Sequence, residues 1–303
     1  NHPEKLAADT RERIETMVRR LAFRPNIHAN RVSRREHNTL AILAAFHHES
    51  PLSDLHRLLL GHISRRACAL GRDLLIIGID ENNEERAIRD SFFQNKFDAL
   101  VMLTHVPRRI LDVIADMPFP KVTTNWQPEV PLRNHAFVGS DMYASSREYA
   151  EALMARGYRR VAYVEPVLEH LSQRGQALLD CAPATKIFYF AHGMPMDAAR
   201  AVAGAVLAEA ERPDCLYCFS DHIALAVMHA FMERGVRIPQ DIAIAGFDGH
   251  EVGAFISPSL TTMEQPWKRM AEVAVELLVD HAGGAVPLED VVLPTTLRWG
   301  DSC

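Results

Sequence analysis

Two successive series of short apolar runs, separated by amphipathic stretches, constrain the fold of this chain more than any other feature of its sequence. Short runs that are apolar throughout are typical of strands buried on both faces, and helices that connect such strands indicate parallel sheets. The first series predicts strands over 40–46, 73–79, 99–103, 121–124 and 136–139. The second series predicts strands over 161–164, 186–190, 215–219, 242–247 and 260–263. The fold class is therefore α/β, with two doubly wound parallel-sheet lobes.

Stretches with helical periodicity lie between or after these strands. They predict helices over 53–70, 84–95, 107–116, 142–156, 171–180, 196–210, 221–234 and 266–282. Ligands of doubly wound sheets bind at the carboxyl ends of the strands. Because there are two lobes, the space between them is the expected binding cleft.

The first residues follow a different pattern. A helix is predicted over 9–22, where Ile14, Val18 and Leu21 share one face. Residues 26–37 are polar and basic. They carry too little apolar surface to fold alone, so we interpret them as a linker that folds on contact with a partner.

The distribution of charge changes what the net charge implies. A formal net charge of -6 at pH 7, taken alone, argues against a nucleic-acid partner. However, residues 1–38 carry +4 and the rest of the chain carries -10. A basic arm on an acidic body indicates a polyanion-binding end attached to a domain with another task. From charge alone, a solvated charged helix explains the arm equally well.

The cysteine and histidine patterns predict no metal site and no cofactor. The five cysteines lack the spacing of a disulfide framework, which indicates reduced thiols and a cytoplasmic protein. The CxxC spacing of Cys215 and Cys218 falls in an apolar run typical of a buried strand, and no second ligand pair accompanies it. No HExxH, P-loop, GxGxxG or GxSxG motif, signal peptide or membrane span is visible. We therefore expect neither an enzyme nor a membrane protein.

Several short motifs, in order along the chain, resemble those of LacI/GalR-type transcriptional regulators. Thr10–Ile14 and Leu21–Asn26 are similar to the last headpiece helix and the start of the hinge in that family. The runs that resemble its effector-binding domain are Gly139–Asp141, Leu153–Val161, Ser172–Arg174, Phe219–Ala224, Ile238–Asp248, Leu260–Thr262 and Gln265–Pro266. The resemblance covers essentially the whole chain. It implies a ligand-responsive DNA-binding regulator, most often a repressor, that senses a small polar metabolite between two lobes.

The resemblance implies that residues 1–37 are the remnant of a helix-turn-helix headpiece with its hinge, and that the base-reading helices precede Asn1. The hinge residues expected at operator DNA are Asn26, Ala29, Asn30, Arg31 and Val32. Val32 stands where the family usually has a leucine wedge, and a shorter wedge kinks DNA less well.

By the same resemblance, residues 38–303 form the effector-binding domain. The expected N-lobe comprises about 38–160 and 266–291, and the expected C-lobe about 161–265 and 292–303. The chain ends soon after a strand predicted over Val291–Leu297, without tetramerising heptads, so we expect a homodimer. The dimer is expected to use the helix over 53–70. Its apolar residues Leu55, Leu58, Leu59 and Ile63 have core burial as the alternative.

Four candidate effector-binding residues lie at or after the ends of predicted strands or, in the case of Arg174, at the start of a predicted helix. Arg174 falls in an SxxR motif, and its planar guanidinium suits a carboxylate or vicinal hydroxyls. Asp248 ends an apolar strand and can accept hydrogen bonds from sugar hydroxyls. Ser220 and Asp141 also follow strands, but helix capping explains these residue types equally well.

The first series contributes Phe46, His47 and Trp126 as further candidates, because each lies at or just after the end of a predicted strand. An aromatic face can stack on the apolar face of a sugar, although loop packing is an equal alternative for Trp126. We expect a sugar or a sugar acid as the effector. A purine is the alternative, because the family includes purine responders.

Two other classes of protein stay open at this point. A periplasmic sugar-binding protein would have the same two-lobe fold, but it would carry a signal peptide in place of the basic segment over residues 1–38. A two-lobe enzyme would turn over a sugar rather than only bind it.

Overall fold

A computed structural model describes residues 7–20, 37–45, 54–79, 90, 96–167, 170–190, 195–282 and 287–303. The strands are β1 (Thr39–Ala45), β2 (Asp73–Ile79), β3 (Ala99–Met102), β4 (Lys121–Thr124), β5 (His135–Gly139), β6 (Val161–Pro166), β7 (Ile187–Phe190), β8 (Cys215–Cys218), β9 (Ala243–Asp248), β10 (Thr261–Glu264), β11 (Val291–Val292) and β12 (Thr296–Arg298). The helices are α1 (Ala8–Arg20), α2 (Asp54–Ala69), α3 (Arg108–Ile114), α4 (Met142–Ala155), α5 (Gln173–Cys181), α6 (Pro195–Leu207), α7 (Asp221–Met232), α8 (Val252–Phe255) and α9 (Trp267–Ala282).

These strands form two six-stranded sheets with the same doubly wound topology. The first sheet has the order β11-β5-β4-β3-β1-β2, and the second has the order β12-β10-β9-β8-β6-β7. Neighbouring strands are parallel, except that β10 and β12 are antiparallel. The predicted fold class, two doubly wound parallel-sheet lobes, is confirmed.

Helices cover both faces of each sheet, which explains why the strands are apolar throughout. In β1, Leu40 and Ile42 pack towards α2 and α9, whereas Ala41 and Leu43 pack towards α3. In the second sheet, one face packs on α6 and α7 and the other on α4 and α5. The CxxC pair lies in buried β8, as predicted, and all five cysteines are free thiols.

Three short connections join the two sheets within the described residues. They are residues 140–141 between β5 and α4, 265–266 between β10 and α9, and 293–295 between β11 and β12. The expected boundary of the first lobe lies at about residue 160, and in the structure Tyr149 and Leu153 of α4 pack against the second sheet. The single strand expected over Val291–Leu297 is two short strands, one in each sheet.

The predicted apolar faces of the helices are buried to different extents. In α2, Leu59 and Ile63 belong to the core, whereas the side chain of Leu58 is 38% exposed. In α1, Ile14 and Val18 are exposed, and Leu21 lies outside the described residues. The helix predicted over 84–95 also lies outside them, apart from a single residue. In the described part of the chain, no helix is both long and apolar enough to span a membrane.

Candidate functional site

Arg174 is held rigidly at the start of α5. The helix is capped by Ser172, whose Oγ accepts a hydrogen bond from the Gly175 N–H at 3.1 Å. Arg174 is only 8% exposed, and its guanidinium carbon lies 4.5 Å from the ring centroid of Phe219 and 4.1 Å from that of Phe247. It also donates a hydrogen bond to the backbone oxygen of Phe219. These contacts fix the direction of its remaining N–H groups.

Asp248 is the principal acidic partner of Arg174. Its Oδ1 lies 3.4 Å from Arg174 Nη2 and accepts a hydrogen bond from Gln265 Nε2 at 2.7 Å. Its backbone oxygen accepts from Trp267 Nε1 at 2.7 Å. Burial raises the pKa of Asp248, and the positive charge of Arg174 opposes that rise. The Oδ2 atom accepts no hydrogen bond from the described residues, so it is the acceptor left for a ligand.

The backbone of Asp248 adopts φ of 113°, a conformation that is rare outside glycine. Asp221 contacts the turn that follows. It accepts hydrogen bonds from Thr262 Oγ1 at 2.6 Å and from the His250 N–H at 2.5 Å. Thr262 Oγ1 in turn accepts from the Gly249 N–H at 3.2 Å. Asp221 therefore stabilises the strained turn that presents the Asp248 carboxylate.

Asp221 is itself almost completely buried. Burial raises the pKa of its carboxyl group from 3.8 to about 7, with a further contribution from the negative charge of Asp248. The hydrogen bonds from Thr262 and His250 act in the opposite direction. Asp221 and Asp248 therefore form a pair of interacting acidic groups, of which Asp248 contacts Arg174.

Two candidate residues cap helices in this structure. Ser220 Oγ accepts from the Ile223 N–H at 3.3 Å at the start of α7, and Asp141 Oδ1 accepts from the Ala144 N–H at 2.8 Å at the start of α4. The capping alternative therefore accounts for both side chains. A ligand contact by either residue stays a prediction.

Trp126 lies after β4 and is half-buried. Its Nε1 donates to the backbone oxygen of Met102 at 3.3 Å, and its ring centroid lies 5.0 Å from that of His105. Both contacts are within the first lobe and leave its role open. The candidates Phe46 and His47 lie outside the described residues, as do the hinge residues Asn26, Ala29, Asn30, Arg31 and Val32.

Two polar residues that were not among the candidates, Asn125 and Gln265, connect to this site. Asn125 Nδ2 donates to Gln265 Oε1 at 2.7 Å, and Gln265 contacts Asp248. Gln265 belongs to a run that resembles the family signature, and Asn125 directly follows a strand, so both positions carried a signal. In the described residues, no group of three or more His, Cys, Asp or Glu side chains is placed to hold a metal ion.

The site thus combines a buried guanidinium between two aromatic rings with a carboxylate that keeps one oxygen free. The pair can receive a hydroxyl group that donates to Asp248 and accepts from Arg174. The neighbouring rings of Phe219 and Phe247 supply apolar surface beside these polar atoms.

Comparisons with known proteins agree with this architecture. A family model described as a periplasmic binding protein-like domain matches residues 150–303. The repressor PurR of Vibrio atlanticus is 31% identical over 188 residues, which cover 59% of this chain and 54% of that protein. The match therefore spans little more than half the length of this relative.

Two solved structures share the fold. The Lac repressor bound to ONPG gives a TM-score of 0.83 at 19% identity and covers 100% of this chain and 94% of its own. The complex of the regulator CelR with cellobiose gives a TM-score of 0.75 at 20% identity and covers 99% of this chain and 92% of the CelR chain. The curated relatives are transcriptional regulators rather than enzymes. The chain belongs to the periplasmic binding protein-like domain family and, within it, to the LacI/GalR-type regulators.

Proposed function

We propose that this chain is the effector-binding part of a DNA-binding transcriptional repressor that acts as a homodimer in the cytoplasm. The observation that carries the proposal is the pairing of Arg174 with Asp248 at the carboxyl ends of the second sheet. The resemblance of the first 37 residues to a headpiece remnant and hinge, and the names of the curated relatives, support the DNA-binding part.

The effector that fits this pair best is a sugar. A hydroxyl group can donate to Asp248 Oδ2 while it or its neighbour accepts from Arg174. A sugar acid is the second candidate because a guanidinium binds carboxylates well. It would have to compete for Arg174 with Asp248 and place a negative charge near Asp221, so we favour the neutral sugar. The cellobiose bound by CelR is a sugar of this kind.

The switch follows from reciprocal coupling between two sites. If the effector weakens operator binding, then operator DNA must weaken effector binding by the same factor. A hinge that folds only on DNA makes this coupling steep, because its ordering depends on the spacing of the two hinges in the dimer.

A thermal-shift screen tests the binding site. The probes are D-glucose, cellobiose, D-gluconate and adenine, each with the wild type, Arg174→Ala and Asp248→Ala. Arg237→Ala serves as the matched control, because Arg237 forms an exposed ion pair with Asp241 away from the site. A ligand at 100 times its Kd stabilises the folded state by about 2.7 kcal/mol.

We expect a neutral sugar to raise the Tm of the wild type and of Arg237→Ala, and to leave both site variants unchanged. Equal stabilisation of all four proteins would show that the ligand binds elsewhere. A gel shift of the full-length protein on its own promoter, with and without the ligand, tests the regulator. Ligand-independent DNA binding would refute the switch.

A further inference from the structure

A chain of hydrogen bonds leads from the candidate effector site into the first lobe. Gln265 Nε2 donates to Asp248 Oδ1 at 2.7 Å, and Gln265 Oε1 accepts from Asn125 Nδ2 at 2.7 Å. Asn125 Oδ1 then accepts from the backbone N–H of Ser140 at 3.3 Å. Arg174 faces the same Asp248 oxygen at 3.4 Å, so the chain begins at the site itself.

The members of this chain lie where the two lobes are joined. Ser140 belongs to the connection between β5 and α4, and Gln265 to the connection between β10 and α9. Asn125 follows β4 of the first sheet, in a left-handed conformation with φ of 65°. Any rotation of one lobe against the other must bend these connections. The hydrogen bonds therefore cross the part of the molecule that moves when the cleft changes.

The chemistry of the two ends fixes the direction of every bond between them. The Asp248 carboxylate can only accept, so Gln265 must present its NH₂ group to it and its oxygen to Asn125. The Ser140 N–H can only donate, so Asn125 must present its oxygen to Ser140 and its NH₂ group to Gln265. Neither amide can turn alone without placing two acceptors or two donors against each other. The two amides therefore hold one joint orientation.

We propose that Gln265 and Asn125 form a directional hydrogen-bond relay that transmits the hydrogen-bonding state of Asp248 to Ser140 in the connection between the lobes. This inference rests on the proposed function only where it takes Asp248 as a ligand contact. A ligand hydroxyl that reorients the Asp248 carboxylate weakens the bond from Gln265. The Gln265 amide then releases Asn125, and Asn125 releases Ser140. Gln265 and Asn125 are positioning residues in this scheme, because neither needs to touch the ligand.

A carboxylate swap tests the relay without any effector. Asn125→Asp places an acceptor against Gln265 Oε1 while preserving shape, and Asp248→Asn allows residue 248 to present either its amide oxygen or its NH₂ group to Gln265. In the double variant Asn125→Asp/Asp248→Asn, Gln265 can turn over, donate to residue 125 and accept from residue 248. The reversed relay is then complete. Asn134→Asp is the matched control, because Asn134 Nδ2 donates to the Pro118 oxygen at 2.7 Å outside the relay.

We expect each single relay substitution to lower the Tm by roughly 3–10 °C. The double variant should recover at least half of the summed loss, whereas Asn134→Asp combined with Asp248→Asn should show additive losses. Additive losses in Asn125→Asp/Asp248→Asn would overturn the relay. Failure of the sugar screen would not affect this result, because no ligand takes part in it.

Amide hydrogen exchange gives a second readout in variants that keep Asp221 and Asp248. In Gln265→Met, loss of the amide frees Asn125, and we expect the Ser140 N–H to exchange about tenfold faster than in the wild type. Gln176→Met is the control, because Gln176 Nε2 bonds only Asp180 on the surface of α5. Unchanged exchange at Ser140 in Gln265→Met would also overturn the proposal, since it would show that Asn125 holds Ser140 without Gln265.

Discussion

Replacing Asp221 by asparagine is expected to make the stability of this protein less dependent on pH. Burial raises the pKa of the Asp221 carboxyl group from 3.8 to about 7 in the folded chain. Between these two values, the unfolded chain has released the proton and the folded chain has kept it. The free energy of unfolding of the wild type therefore falls as the pH rises from about 4 to about 7, and this group contributes no slope above that range.

The size of the effect follows from the same two pKa values. Each unit corresponds to about 1.4 kcal/mol, so the whole shift is worth about 4 kcal/mol. Between pH 5 and pH 8, the part that is lost is roughly 2–3 kcal/mol. Asparagine keeps the shape of the side chain, and its oxygen can still accept from the His250 N–H. The unfolding free energy of Asp221→Asn, relative to that of the wild type, should therefore increase by that amount between pH 5 and pH 8.

Urea denaturation of the wild type and of Asp221→Asn at pH 5, 6, 7 and 8 measures this difference. The contributions of titrating groups that both proteins share cancel in it. Asp241→Asn is the control, because hydrogen bonds from Arg237 hold the pKa of Asp241 at about 2 and no change of ionisation falls in this range. A difference between Asp221→Asn and the wild type that stays constant from pH 5 to pH 8 would refute the reasoning. A difference that moves in favour of the wild type would refute it too.

Three further substitutions, one of them with a matched control, test the packing. Gly246→Ala places a Cβ atom 2.1 Å from Asp221 Oδ1 and should cost about 1–3 kcal/mol in urea denaturation, whereas Gly204→Ala, with open space in α6, should be neutral or stabilising. Lys121→Met leaves three backbone oxygens without the ammonium donor and should cost about 3 kcal/mol or more. Because burial lowers the pKa of Lys121 to about 8, the stability of the wild type relative to Lys121→Met should rise from pH 8 to pH 10. Tyr149→Phe removes a bond to a buried carbonyl of β10 and should lower the free energy of unfolding by about 1 kcal/mol; an unchanged value would contradict that bond.

The strands were predictable because burial on both faces leaves a continuous apolar run in the sequence. The strand expected over Val291–Leu297 failed for a local reason. Pro294 has no N–H and interrupts strand pairing, and the chain leaves the first sheet there and enters the second. Helix α4 follows a strand of the first sheet but packs against the second, and its sequence did not indicate this because an amphipathic helix after β5 could cover either sheet.

The site was predictable where a residue type matched both a motif and a strand end, as for Arg174 and Asp248. Gln265 and Asn125 lie 140 residues apart in the sequence, and an amide side chain carries no sign of which distant group it will bond. Ser220 suited two roles, because a hydroxyl after a strand can cap a helix or bind a ligand. Only the positions of the neighbouring N–H groups show which role it has in this structure.

The connection between β11 and β12 limits how far the two sheets can part. Val292 lies in one sheet and Thr296 in the other, so four residue steps span the gap. A fully extended chain covers at most about 14 Å in four steps. The connections at 140–141 and 265–266 are shorter still. The lobes are therefore tethered at three places, so their relative motion is confined to tilting and twisting about those tethers. The length of these segments sets the range of that motion, and lengthening one of them should widen it.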